Sequence, residues 1–141
     1  MDQHNFASFV MGDWIVPSHP SRAVCSAVTG QELGSVGGAV DVSGMQDYAK
    51  TYGGPGLRSL NFHDRARLLK ALALHLKLHR KTLYELSFET GATLADSKID
   101  IDGGIATLLV YASKGRREMP EGFIMPDGEL ELLSSDGSFL G

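Results

Sequence analysis

Apolar residues recur at helical spacing through the middle of the chain. The leucines that form this pattern are Leu68, Leu69, Leu72, Leu76 and Leu83. Their spacing predicts a helix over about 65–79 and a second helix over about 80–90. Asn61 and Asp64, a side-chain acceptor followed three residues later by an acid, form a variant of the capping box before the first helix. Gly91 follows the second helix and can adopt the left-handed conformation that ends a helix.

A third helix is predicted over about 94–117, because Thr93 and Asp96 repeat the capping pattern. Its interior holds Gly103 and Gly104, and each glycine costs a helix about 1 kcal/mol. We therefore expect close backbone packing or a kink at this pair.

The residues before these helices have the pattern of short strands. Residues 6–16 read as two extended runs around Gly12 and Asp13, a turn dipeptide. Residues 22–29 read as a strand, and after a turn residues 32–36 can return antiparallel to it. This part is too small to form a core alone.

Two further segments flank the leucine-rich helices. Asp41 or Ser43 can cap a short helix through about Tyr52, and the glycine-rich residues 53–56 are expected to stop it.

After the third helix the pattern returns to strands. Residues 123–125 and 129–133 surround the sequence Pro-Asp-Gly and predict a β-hairpin. Residues 134–137 form another turn, and residues 138–140 begin a further strand that has no partner. Because the sequence stops inside this apolar strand, we expect the chain to be truncated.

Composition and charge restrict the class of protein. The chain has 141 residues, of which 43% are hydrophobic and 21% charged, as in a single globular domain. Residues 61–118 carry ten basic and seven acidic side chains, a weaker excess than nucleic-acid binders show. No apolar run is long enough for a membrane span. Cys25 is the sole cysteine, so an intrachain disulfide is impossible. These features favour a cytoplasmic protein.

Several motifs, in the order in which they occur along the chain, resemble the start of the aldehyde dehydrogenase superfamily. They are GDW at 12–14, VTG at 28–30, DRARLLKAL at 64–72 and ETG at 89–91. A narrower resemblance is to the bifunctional phenylacetate-degradation branch, in which an aldehyde dehydrogenase is fused to an enoyl-CoA hydratase-like domain with oxepin-CoA hydrolase activity. That resemblance is carried by residues 53–60, 90–96, 99–120 and 133–137.

The resemblance implies an α/β fold of which only the N-terminal part is present: short β-hairpins, three to four helices and then a β-hairpin. Residues 1–121 would belong to the cofactor-binding domain, and 122–141 would start the oligomerisation hairpin. The partners would be the remainder of the same chain and, through 122–141, a second subunit.

The resemblance also implies the chemistry of the parent protein. A cysteine thiolate would attack a CoA-linked semialdehyde, hydride would pass to NADP (or NAD), and a glutamate would activate the water that releases the acid. All of these residues are expected after Gly141, and the chain has no G-x-G-x-x-G motif. We therefore assign no catalytic, cofactor-binding or metal residue, and we expect this segment alone to bind no cofactor.

Three groups of residues nevertheless suggest sites. Cys25 lies on a predicted strand, where an inert, partly buried thiol is expected rather than a nucleophile. His75 and His79 have a zinc-binding spacing but no third ligand. The acids at 96, 100 and 102 resemble the ligands of a calcium loop, but Lys98 and Leu109 would occupy the first and twelfth positions of that loop, so they do not match it. The alternative interpretation is that these acids complement the helix dipole in the first turns of a helix.

Two other groups have both a functional and a structural interpretation. The glycine-rich residues 53–56 could form an anion-binding nest, or a helix stop. Lys114, Arg116 and Arg117 could lie near a CoA tail, or simply complement a helix C-terminus. For the whole chain, the alternative to an enzyme fragment is a free-standing helical module for protein–protein interaction.

Overall fold

The computed structural model describes residues 6–16, 18–38, 40–125, 128, 130–134 and 137–140. In chain order the elements are β1 Ser8–Val10, β2 Asp13–Ile15, β3 Pro20–Cys25, β4 Glu32–Gly37, α1 Val42–Tyr48, a π-helical turn Ala49–Gly53, α2 Gly54–Arg58, α3 Phe62–Leu78, α4 Arg80–Phe88, α5 Leu94–Arg117, β5 Leu130–Ser134 and β6 Gly137–Leu140.

The packed centre of the molecule lies between α3 and α5. Small residues on α3, Ala66 and Ala73, are buried there together with Ile105 and Ala112 of α5. Gly115 brings the two backbones close together, because a Cβ atom at this position would lie 3.1 Å from the Cβ of Ala66. The small size of the residues that face each other allows the two helices to approach closely.

Local capping interactions set the starts of α3 and α5, as the sequence predicts. The Asn61 side chain accepts a hydrogen bond from the Asp64 amide at 2.8 Å, while the Asp64 carboxylate pairs with Arg67. At α5 the capping box is complete: Thr93 Oγ1 accepts from the Asp96 amide and the Asp96 carboxylate accepts from the Thr93 amide, both at 3.2 Å.

The end of α4 also agrees with the sequence. Gly91 has a φ of +86°, the left-handed conformation that was expected there. The backbone amide of Ala27 donates to the carbonyl of Glu89 at 2.8 Å, so the end of α4 is tied to the turn between β3 and β4.

The expectation of close packing at Gly103 and Gly104 is wrong for the part of the chain that the structure describes. A Cβ atom at either position would meet no atom within 4 Å. The helix α5 continues through both residues from Leu94 to Arg117. The close approach that a glycine permits occurs at Gly115 instead, because that residue faces α3.

The expectation that residues 53–56 stop a helix is also wrong. Asp41 caps α1 as predicted, but helical backbone continues through the π-helical turn into α2, which ends at Arg58. Gly53 and Gly54 have helical φ values of −65° and −60°. Pro55 lies in the first turn of α2, where a missing N–H costs little.

The strand β1 pairs antiparallel with β2, as predicted, with Phe9 opposite Trp14. The turn between them differs from the predicted one. It is formed by Met11 and Gly12, which have φ values of +53° and +93°, while Asp13 already belongs to β2. Two consecutive residues with positive φ suit a tight hairpin turn.

The strand β3 pairs antiparallel with β4, as predicted, but ends at Cys25 and not at Thr29. The Ser26 side chain accepts hydrogen bonds from the amides of Val28 and Thr29, at 3.3 and 3.2 Å. This side chain folds the residues after Cys25 into a turn, so the strand cannot continue.

The hairpin near the C-terminus has a different pairing from the predicted one. Residues 123–125 are not a strand, and β5 pairs antiparallel with β6, Leu130 lying opposite Leu140. The last strand therefore has a partner, contrary to expectation, because the short link between β5 and β6 brings consecutive strands together. The predicted turns fall partly at 126–127 and 135–136, outside the described residues.

Candidate functional site

A polar cluster joins α4 to α5. The Tyr84 hydroxyl donates a 2.8 Å hydrogen bond to Asp102 Oδ2, and Arg80 Nη1 lies 3.6 Å from Asp102 Oδ1. This second oxygen is shielded from solvent and has no hydrogen-bond partner. The hydrogen bond to the Asp102 carboxylate, with burial and the carboxylate's charge, raises the pKa of Tyr84, while Arg80 opposes the shift. Tyr84 therefore remains protonated at neutral pH and serves as a hydrogen-bond donor rather than a base.

A second polar contact between the same helices involves two serines. Ser97 is only 1% exposed, and its hydroxyl lies 2.9 Å from Ser87 Oγ and 3.0 Å from the Thr93 carbonyl. The contact with Ser87 holds α4 against α5, whereas the one with Thr93 lies within the first turn of α5. The sequence contained no signal for these pairs, because their partners are 10 and 18 residues apart and lie on different helices.

The structure separates the acids that the sequence placed together. Asp96 completes the cap of α5, whereas Asp102 lies in the third turn and contacts Tyr84. The interpretation of Asp102 as a dipole-complementing acid of the first turns is therefore wrong. Within the described residues, no group of three or more His, Cys, Asp or Glu side chains is arranged to hold a metal ion.

Cys25 and the two histidines are surface residues. Cys25 ends β3 and is exposed, so the expectation of a partly buried thiol is wrong. Side chains alternate along a strand, and the half-buried neighbour Val24 takes the inward position. His75 lies in the last turn of α3 and His79 is its C-cap; both are exposed, and their ring centroids are 4.7 Å apart.

The other two candidate groups belong to helices. The glycine-rich residues 53–56 are part of the helical path described above, so the structure shows neither a nest nor a stop there. Lys114, Arg116 and Arg117 occupy the last turn of α5, where they complement its C-terminus. Arg117 lies 3.8 Å from Glu118 in an exposed pair.

Apolar hollows lie on both sides of Leu69 in α3. One has a volume of about 350 Å³ and lies between α3 and the end of α5; its lining residues include Phe62, Leu69, Tyr111, Lys114 and Met119. The other has a volume of about 400 Å³ and is lined by Leu57, Arg65, Leu68, Leu69 and Leu72. The first hollow is also lined by the charged residues Arg65 and Glu118.

None of the helices in the described ranges combines the length and apolar character that a membrane span requires.

Comparison with known proteins places these elements in a family. The model of the aldehyde dehydrogenase family matches residues 14–135. The chain is also 32% identical over 132 residues to a 3,4-dehydroadipyl-CoA semialdehyde dehydrogenase of Aromatoleum evansii. That match covers 92% of the chain but 26% of the relative, so the chain spans about a quarter of that protein's length. The chain belongs to the aldehyde dehydrogenase family.

Proposed function

We propose that these residues are the N-terminal part of an aldehyde dehydrogenase that oxidises a CoA-linked semialdehyde to the acid with NADP (or NAD). The observation that carries the proposal is the match to the CoA-semialdehyde dehydrogenase, which extends along 92% of the chain. The match to the family model over residues 14–135 supports the same reaction class.

The segment itself contributes structure and not reacting groups. We place the catalytic cysteine and glutamate of the family after Gly141, and Cys25 takes no part in the reaction. Its exposed position at the end of β3, and not at a helix N-terminus, supports this assignment.

We also propose that the chain contributes to two parts of the longer enzyme. Residues 1–121 supply part of the cofactor-binding domain, and 122–141 begin the oligomerisation hairpin. Within the described residues β5 and β6 pair only with each other. Each strand therefore has an outer edge at which the remainder of the chain or a second subunit can add a strand.

The narrower resemblance extends the proposal to the role of the parent in the cell. We place it in the catabolism of phenylacetate, in the cytoplasm, with a hydratase-like domain that opens the oxepin-CoA ring by hydrolysis. The semialdehyde produced by ring opening would then be the substrate of the dehydrogenase.

The test is an assay of the polypeptide as its gene encodes it. Reduction of NADP or NAD is followed by absorbance with a CoA-linked semialdehyde, and with the same semialdehyde lacking CoA. We expect oxidation of the CoA-linked compound and much slower oxidation of the free one. Equal rates would remove the CoA-linked substrate class, and no oxidation of any aldehyde would refute the proposed function.

The alternative, a free-standing interaction module, draws support from the many exposed apolar side chains, such as Leu57, Leu68, Leu72 and Tyr111. The reading frame after the codon for Gly141 distinguishes the two functions. A stop codon there favours the module, and an open frame that encodes a cysteine-bearing catalytic domain favours the enzyme.

A further inference from the structure

Two histidine rings lie side by side at the end of α3. His75 is in the last turn of the helix and His79 is its C-cap, and both side chains are exposed. Their ring centroids are 4.7 Å apart, and the ring planes are tilted by 57°, so the rings are not stacked face to face. Imidazole nitrogens are common ligands of divalent transition metals, and a helix that presents two of them on one side can hold one ion.

The separation of the rings is that of two imidazoles bound to one ion. A zinc–nitrogen bond of about 2.1 Å places the centre of each ring about 3.2 Å from the metal. Centroids 4.7 Å apart then subtend an angle of about 95° at the metal, between the right angle of an octahedral ion and the wider angle of a tetrahedral one. Exposed side chains change their χ angles readily, so one nitrogen of each ring can turn towards the ion.

The backbone holds the two histidines in this relation. The amide of His79 donates to the carbonyl of Leu76 at 3.0 Å, and the carbonyl of His79 accepts from the amide of Leu83 at 3.0 Å. The position of His79 is therefore fixed on both sides, at the end of α3 and at the start of α4. Little backbone entropy is lost when an ion binds, which favours binding to both rings at once.

Two neighbouring cationic residues leave the pair accessible to a metal ion. Lys77 lies two residues from each histidine, which places it on the opposite side of the helix. Arg80 Nη1 lies 3.6 Å from Asp102 Oδ1 of α5. Within the residues that the structure describes, no His, Cys, Asp or Glu joins the pair to form a group of three. Among these residues the pair supplies two ligands, and water completes the coordination of the ion.

We infer that His75 and His79 form a chelating site for one divalent transition-metal ion, of the class that imidazole favours: Cu²⁺, Ni²⁺ or Zn²⁺. The inference does not rest on the proposed function, which places the reacting groups after Gly141. Two ligands with open positions make a labile site, whereas a permanent structural site closes the coordination with protein ligands. The occupancy of the site therefore follows the concentration of the free ion.

The test uses nickel(II) nitrilotriacetate, a complex in which the chelator leaves two adjacent positions of the ion free for imidazoles. The complex is titrated by calorimetry into the polypeptide as its gene encodes it, without an affinity tag and at mildly alkaline pH, because only neutral imidazole binds a metal. His75→Ala, His79→Ala and the double variant are compared with the control His19→Ala, which removes an exposed histidine elsewhere in the chain.

We expect each single variant to bind the complex at least about tenfold more weakly than the unsubstituted protein, because the second ring acts at a high effective concentration once the first has bound. The double variant should lose little more than either single variant, and His19→Ala should leave the affinity of the pair unchanged.

Losses that simply add up in the double variant overturn the inference, since they indicate two separate sites of one imidazole each. Unchanged binding by the double variant overturns it as well, as does the absence of binding by the unsubstituted protein. Should a variant fail to fold, diethyl pyrocarbonate modification of the unsubstituted protein is quantified by mass spectrometry with and without the nickel complex. Protection of His75 and His79 together, but not of His19, supports the chelate, and protection of one of the pair or of neither refutes it.

Discussion

Glycine-to-alanine substitution at two positions of α5 separates helix propensity from helix packing. At Gly104 a new Cβ would meet no atom within 4 Å, whereas at Gly115 it would lie 3.1 Å from the Cβ of Ala66. Both residues lie in the same helix, and neither has a positive φ. The two variants therefore share a helix and carry the same substitution, and they differ chiefly in the atoms that the new Cβ would meet.

The two substitutions are expected to change the free energy of unfolding differently. Gly104→Ala should stabilise α5 by about 1 kcal/mol, because alanine is the better helix former. Gly115→Ala gains the same propensity but forces α3 and α5 apart, and overpacking costs about 1–3 kcal/mol. Gly115→Ala should therefore be less stable than Gly104→Ala by at least about 1 kcal/mol, or about 4 °C in melting temperature for a chain of this size.

The 141-residue chain and its two variants are unfolded by urea and by heat, and the loss of helix is followed by circular dichroism. The unfolding midpoints of the three proteins are then compared. The order of the two midpoints relative to the unsubstituted chain is the decisive result. If both variants gain equal stability, α3 and α5 do not approach each other at Gly115 as described. If Gly104→Ala is the destabilised variant, Gly104 contacts a part of the molecule that the described residues do not include.

Three further predictions concern a hydrogen bond, a cap and the cysteine. The hydrogen bond to Asp102 raises the pKa of Tyr84, so the stability that this pair contributes is complete below the usual tyrosine pKa of about 10 and is lost as the pH rises through the raised value. Tyr84→Phe should therefore weaken the loss of stability at alkaline pH in melting experiments. An unchanged pH profile would contradict the role of the pair. Thr93→Ala should destabilise α5 by about 1 kcal/mol in urea unfolding, whereas Thr93→Ser should retain the cap and most of the stability; equal losses would show that the hydroxyl does not cap the helix. Cys25→Ser should leave aldehyde oxidation by the longer enzyme unchanged in kcat and KM, and a loss of kcat would return Cys25 to consideration as a reacting group.

The sequence by itself determined the features that depend on residues close together in the chain. The caps at Asn61 and Thr93 were predictable because donor and acceptor are three residues apart, a distance at which helix geometry brings them together. The left-handed Gly91 followed from the same local logic. The motifs of the resemblance were also local, and they were sufficient to indicate the aldehyde dehydrogenase family.

Only the tertiary structure decided which glycine is packed and which acid is paired. Gly103, Gly104 and Gly115 are alike in sequence, but Gly115 alone among them faces Ala66, because the crossing of α3 and α5 selects it. Asp102 meets Tyr84 across two helices, 18 residues apart, and no local pattern records that contact. The pairing of two elements depends on the path of the chain between them, and for this reason it could not be predicted from spacing along the sequence.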